Sequence, residues 1–268
     1  MKYISERIEH VGKGYGYCVI CGTQGRLSKD HVPPSCAIVL EPMLQKSVSE
    51  FYSPKEKIKP LNAKTGSYFQ TVCEKCNNGI NDNSIASVTS QFRAKLLRYL
   101  SGEHFMYNTI RVEVDSLNFA RAMISHVLSA TSARDCEKKP SHSEFYTPLR
   151  EFVLGIRGTL EDTHDIYYWF YPFRMHISAQ NINFYNNGHH CFCAVLHFFP
   201  IAFLITLAKQ GTHPVHASKL EMQDKNLHFN MIQSNMDYAT FPFVRLEGNQ
   251  MNLFSSGHTC VSYPINKN

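Results

Sequence analysis

The sequence predicts an α+β protein in two parts, a small N-terminal module followed by a mixed α+β accessory domain. Three observations point there. Two Cys-x-x-Cys pairs, Cys18/Cys21 and Cys73/Cys76, each sit in a strand–turn context. Between Ser84 and Gly102 the apolar residues Ile85, Val88, Phe92, Leu96 and Leu100 are spaced by three and four, the period of one helix face. From Ile166 onward the chain is rich in aromatic and β-branched residues, the composition of strands.

The elements follow in order. Tyr17 to Val32 reads as two short strands around the turn Gly22-Thr23-Gln24-Gly25. Residues 33–66 carry Pro33, Pro34, Pro42, Pro54 and Pro60 and the basic stretch PKEKIKP. They read as an insertion with little regular structure beyond one short helix near 41–51. Ser67 to Val72 alternates as a strand and leads into Cys73-Glu74-Lys75-Cys76-Asn77-Asn78, after which the helix from Ser84 ends near Gly102. Leu117 to Arg134 is helical, with Leu117, Ala120, Ile124, Val127, Leu128 and Thr131 on one face. IYYWFYPFRMHIS and CFCAVLHFFPIAFLITLA then read as core strands, and TFPFVRLEG and TCVSYPIN lie in a more polar tail. The module is expected over residues 1–105 and the accessory domain over 106–268.

With 268 residues, 43% hydrophobic and 18% charged, the chain can bury a sizeable core. Its longest apolar run, 198–208, is too short to span a bilayer. The opening MKYISERIEH is charged and does not read as a secretory signal, so a cytoplasmic protein is expected. The charge is uneven. Residues 1–105 hold 14 of the 27 Lys+Arg against 9 of the 22 Asp+Glu, and residues 106–268 hold 13 of each. The whole excess of +5 lies with the cysteine pairs, which suits contact with a polyanion.

Nine cysteines is an odd number, and in a reducing compartment paired cysteines hold metal more often than disulfides. Two Cys-x-x-Cys pairs complete a tetrahedral site, the closed geometry of structural zinc. The long separation from Cys21 to Cys73 is tolerable because closure entropy grows slowly with loop length. The alternative is two unrelated pairs, one of them redox-active. Cys36, Cys136, Cys191, Cys193 and Cys260 read as small buried hydrophobes, and His197 beside the last strand cysteines as core. The aromatic run 167–173 reads as β core rather than as a base-stacking platform. Arg174 has no assigned role. Lys55, Lys57 and Lys59 alternate, either along a phosphate-binding groove or on a solvated loop.

If the four thiolates share one ion, Asp30-His31 and Asn77 are drawn toward one cleft. At this point the residues resemble a known family. CVICG, SKDHVPP and TVCEKCNNGINDN, in that order, resemble the HNH endonucleases with a ββα-metal site framed by a four-cysteine zinc. The resemblance covers residues 17–90. It implies His31 as the general base that activates water, Asp30 as a ligand of a catalytic Mg2+ or Mn2+, and Asn77 as a further ligand. Asn81, one turn on, is a possible ligand, and Asp82 a poorer one. The chemistry is coherent, since an imidazole takes up a proton near neutral pH and hard cations prefer oxygen donors. Loss of Asp30 or Asn77 is expected to leave the fold standing and abolish turnover. The chain departs from the family pattern in its long insertion and in Tyr68, which stands where the family has a bracing asparagine; Asn62 is a candidate substitute. Strand alternation sends Asp30 and His31 to opposite faces unless the strand bends near Pro33-Pro34. The resemblance implies a DNA-cleaving enzyme, with a bacterial or phage defence or restriction role by association. The rival readings are a zinc-ribbon module that binds nucleic acid without cutting, and a nuclease gated by a ligand or protein at residues 106–268.

Overall fold

The computed structural model describes residues 14–48, 51, 61–63, 67–79, 81–102, 108–186, 189–244, 252–255 and 259–265. Lys55, Lys57 and Lys59 lie outside them. The chain is mixed α+β, mostly sheet. A three-stranded antiparallel sheet is built from β1 (Tyr15–Tyr17), β2 (Gln24–His31) and β5 (Tyr68–Cys73), in the order β1-β2-β5. Helix α1 (Glu74–Asn78) follows β5 at once, and α2 (Asn83–Leu100) comes next.

Between β2 and β5 the chain leaves this small sheet. β3 (Met43–Ser47) and β4 (Leu61–Ala63) form there, so the expected irregular insertion with a short helix near 41–51 is corrected in its larger part to strand. They join a large antiparallel sheet through the C-terminal β14 (Thr259–Pro264), with Met43 opposite Pro264 and Ser47 opposite Cys260. Gln45 Nε2 lies 3.5 Å from Ser262 Oγ in this buried pairing. The rest of that sheet is β7 (His164–Phe170), β8 (His176–Asn186), β9 (His189–Phe198) and β10 (Ile201–Leu207), with the short β11 (Ser218–Lys219) and β13 (Asn252–Ser255) at its margins. β6 (Thr109–Glu113) and β12 (Asn226–Asn230) make a separate two-stranded ribbon.

The layer between the two main sheets is α3 (Ser116–Ser129). Asp115 caps it, its carboxylate accepting from the Asn118 amide. Phe119, Met123, Ile124 and Val127 are buried, but so are Ser125, His126 and Ser129. A helix covered all round is an interior helix. One buried cluster runs from Val19, Phe69 and Phe92 through Phe119 to Phe170 and Phe203, so the small sheet and the large one pack on a common core. Phe92 of α2 stacks on Phe170 at 5.4 Å and meets Phe229 edge-on at 5.0 Å. Leu100, assigned to the apolar face of α2 by its spacing, is 70% exposed because the helix outruns the surface it covers. The aromatic run of β7 is buried along its length, as are Cys191, Cys193 and His197. Arg174 pairs with Glu41. No helix among the described residues is long and apolar enough to cross a membrane.

A 3-10 turn (Ala133–Cys136) and helix α4 (Tyr146–Val153) complete the helical layer. The turn packs tightly on β1: a Cβ placed on Gly16 would lie 2.6 Å from the Cys136 carbonyl oxygen. Only glycine permits that approach.

Candidate functional site

The two Cys-x-x-Cys segments meet. In the first, the Gly22 amide donates to the Cys18 carbonyl at 2.8 Å and Gly22 takes φ of 70°, closing the knuckle after β1. The Val19 amide donates to Thr71 of β5 at 3.1 Å, holding that knuckle against the second. Cys73 ends β5 and Cys76 lies in α1. The four sulphurs fall within 4.8 Å of one another, and Cys21 Sγ and Cys73 Sγ are 3.7 Å apart. A tetrahedral ion with metal–sulphur bonds of about 2.3 Å has an edge of about 3.8 Å. Cys18 is fully buried and Cys76 nearly so. The hydrogen bond from the Cys76 thiol draws the Cys18 thiol down to about 5, while that bond, burial and the neighbouring sulphurs drive Cys76 far up. Four thiolates at this spacing need a cation to coexist, so the donor set fits a metal ion.

Beyond the knuckle, the pleat of β2 sorts the motif residues. Asp30 stands opposite Phe69 and His31 opposite Tyr68. Phe69 faces the core, and Asp30 with it is only 4% exposed. His31 is half-buried on the other face, its ring 6.2 Å from that of Tyr68, with the Lys29 ammonium 4.8 Å from the Tyr68 ring centre. A bulge between Ser28 and Asp30 sets one residue of β2, Lys29, against two of β5, Gln70 and Thr71. It does not turn Asp30 and His31 to one side. Asp30, His31 and Asn77 are therefore not gathered by direct contact, although all three border the junction of hairpin and helix.

Asn77 lies in the last turn of α1 rather than at a helix start. Its Nδ2 donates to Ser28 Oγ at 2.7 Å and to the Lys29 carbonyl at 3.1 Å. The carbonyl accepts only, which fixes the nitrogen toward it. Asn77 thus braces hairpin to helix, the role the family resemblance gives to the asparagine whose place Tyr68 takes. Asn62 is exposed on β4. Asn81 is exposed, and its Oδ1 accepts from the Asn83 amide at 3.2 Å at the start of α2.

The partner of Asp30 is a residue that sequence reasoning missed. His126, from the interior helix α3, places Nδ1 3.1 Å from Asp30 Oδ2 and Nε2 2.9 Å from Asp82 Oδ1. Its side chain is 2% exposed. Carboxylates on both ring nitrogens require both to donate, so the ring is an imidazolium. Burial alone would lower its pKa, but the attraction and hydrogen bonds of Asp30 and Asp82 outweigh it and raise the pKa to about 10. Asp82 sits at the N-cap of α2 yet makes no capping bond with its side chain. An N-cap bond is typically worth about 1 kcal/mol, and here the carboxylate is turned to the buried histidine instead. The sequence signal was a histidine inside Ala122-Met123-Ile124-Ser125-His126-Val127-Leu128, since a polar ring in an apolar run must find partners.

Two expectations change. Asp30 is held in a buried ion cluster and Asn77 in a bracing contact, so neither can be removed without cost to the fold. For a hard divalent cation the available donors are oxygens: the Asp30 carboxylate, with Oδ2 bonded to His126, and the Asn77 amide oxygen, its nitrogen spent on the brace. By donor chemistry they fit Mg2+ or Mn2+.

Fold and site define an α+β protein with a cluster of four cysteines that could hold a metal ion and a buried Asp–His–Asp cluster beside it. No family model matches the chain, and neither a curated protein nor a solved structure matches it.

Proposed function

We propose that the chain is a metal-dependent endonuclease of the HNH type that hydrolyses phosphodiester bonds in DNA. The four cysteines hold a structural zinc ion, His31 is the general base, and Asp30 with the Asn77 amide oxygen holds a catalytic Mg2+ or Mn2+. When bound, such a cation stabilises charge on the phosphate and the leaving oxygen. Lys29, beside His31 on the outer face of β2, attracts the phosphate backbone; His31 takes the proton of the attacking water. His126 holds Asp30 in place through the contact of its Nδ1 with Oδ2. The observation that carries the reading is the junction itself: a cysteine knuckle, a hairpin ending in Asp30-His31 and the short helix α1 that carries Cys76, braced to the hairpin by Asn77. A role in bacterial or phage defence or restriction follows only by association with such nucleases.

A second reading has one observation in its favour. Asp30 is nearly sealed from solvent and already paired, which suits a knuckle module that binds nucleic acid without cutting it. Wild type and His31→Ala, each assayed on supercoiled plasmid with Mg2+ or Mn2+ and for zinc content, separate the two. The nuclease reading expects nicking by wild type, none by His31→Ala, and about one zinc in both. Cutting by His31→Ala at the wild-type rate removes His31 from the mechanism. Retained zinc and DNA binding with no cutting by either protein supports the binding module.

A further inference from the structure

We infer that the pocket between the end of α3, the 3-10 turn and α4 binds a small phosphate-bearing ligand of nucleotide size, its anionic group held by Arg150, Lys138 and Lys139. The inference stands apart from whether the chain cuts nucleic acid.

The pocket has a volume of about 440 Å³, within the range of small-molecule sites. Arg150 reaches it from α4, half-buried. Its Nη2 donates to the Ser141 carbonyl at 2.6 Å and to Thr147 Oγ1 at 3.0 Å, both neutral acceptors. Burial lowers the pKa of this guanidinium, and the neighbouring Glu151 charge offsets only part of that effect. Among the described residues, none of Arg150, Lys138 and Lys139 forms an ion pair. Three cations around one concavity that form no ion pair among the described residues favour an anion, and a phosphate matches the guanidinium fork.

The same wall carries Asp135 and Glu137. Bare phosphate gains nothing from two carboxylates. A ligand with an anionic end and hydroxyl or amine donors at the other end uses both sets, and a nucleoside phosphate is the simplest such chemistry. The floor is rigid. The Tyr146 hydroxyl donates to Asn181 Oδ1 at 2.6 Å and accepts from the Asn181 amide at 3.2 Å. Asn181 sits in the left-handed region, φ 54°, where β8 sets two residues, Gln180 and Asn181, against one of β9. Such a conformation is costly for a non-glycine residue and persists where its surroundings over-determine it.

The pocket touches the metal knuckle. Val19 lines it, and a Cβ on Gly22 would lie 3.5 Å from Lys139 Cε and 3.6 Å from Pro140 Cδ. A bound ligand therefore buttresses the turn that carries Cys18 and Cys21, and slows loss of the metal.

The test is calorimetric titration of the full-length, metal-loaded protein with adenosine 5′-monophosphate, adenosine, inorganic phosphate and a short DNA oligonucleotide. The monophosphate should bind, adenosine should not, and phosphate should bind more weakly. Lys138→Gln/Lys139→Gln and Arg150→Gln should each weaken binding about tenfold or more. The lysine pair is exposed, so that variant keeps the test valid if Arg150→Gln fails to fold. Metal extraction by a chelator should be slower with the monophosphate present in wild type and unchanged by it in the lysine variant. Absence of binding by the monophosphate, or equal binding in all variants, overturns the inference. So does binding of the oligonucleotide alone, which would make this face a nucleic-acid contact.

Discussion

Replacing His126 with alanine should be among the most damaging single changes in the hairpin region, and the size of the effect should depend on pH. The substitution leaves Asp30, 4% exposed, without its cationic partner. Breaking a buried pair from one side typically costs about 3–5 kcal/mol. The pKa gives a similar scale: a rise from 6.5 to about 10, at about 1.4 kcal/mol per unit, is on the order of 5 kcal/mol. The sign is fixed by linkage. The folded state holds the His126 proton up to about pH 10, whereas the unfolded chain releases it near 6.5. The stabilisation is therefore complete below pH 6.5 and is lost progressively between 6.5 and about 10. The four cysteines add a pH dependence of their own, because protons compete with a bound ion for the thiolates. The difference between wild type and variant cancels that contribution. Urea unfolding of metal-loaded wild type and His126→Ala at pH 6, 7.5 and 9 should give a gap of about 3–5 kcal/mol at pH 6, narrowing by about 1.4 kcal/mol per pH unit above 6.5. The double variant His126→Ala/Asp30→Asn should recover part of the loss, since no unpaired carboxylate remains. A gap below about 1 kcal/mol at pH 6, or one that stays constant to pH 9, refutes the buried imidazolium.

Other consequences are direct. Gly16→Ala puts a methyl group 2.6 Å from the Cys136 carbonyl and should lower the melting temperature by more than an alanine at the exposed, unobstructed Gly102 region would, for instance Ser101→Ala. Cys76→Ser should abolish metal uptake, read by colorimetric metal release from the purified protein, and lower stability with it. On acidification, burial holds His164, His176 and His197 near 4, below the ordinary 6.5. The unfolded chain takes up those protons first, so stability should fall between pH 6.5 and 4; His197→Gln should blunt the fall measured by thermal unfolding.

What the sequence made legible was whatever is written in short-range pattern. The knuckles could be paired because spacing and ion chemistry leave few alternatives, and α2 could be placed because Ile85, Val88 and Phe92 repeat at the helical period. The burial of β7 followed from an unbroken aromatic run. What stayed hidden is long-range. β3 looks like part of a proline-rich insertion because its pairing partner is β14, more than two hundred residues on; Gln45 and Ser262 are separated by 217 positions. No local period encodes that. His126 is hidden for the same reason, its acids lying 96 and 44 residues away. Periodicity also assigns a polar residue to the solvent side of a helix, and in α3 that inference fails because both sides of the helix are covered.

The pleat of β2 has a consequence for how the motif should be dissected. Its inner residue, Asp30, is tied through His126 to Asp82 at the head of α2, so one carboxylate links the hairpin, the interior helix and the helix after the knuckle. Its outer residue, His31, is half-buried with its ring 6.2 Å from that of Tyr68. Adjacent residues of one motif therefore carry different burdens. Asp30→Asn removes a buried charge from an ion cluster and should lower both stability and any metal-dependent activity. His31→Ala should leave the unfolding free energy within about 0.5 kcal/mol of wild type, because His31 lies outside the buried ion cluster. Asn77→Ala falls between them, because it removes two bracing hydrogen bonds at the hairpin–helix junction, each worth about 1 kcal/mol. If all three variants unfolded at the same denaturant concentration, the inner–outer division would be wrong. If only His31→Ala kept wild-type stability while losing cleavage, the chemistry would be assigned to the exposed face of the strand and the scaffolding to the buried one.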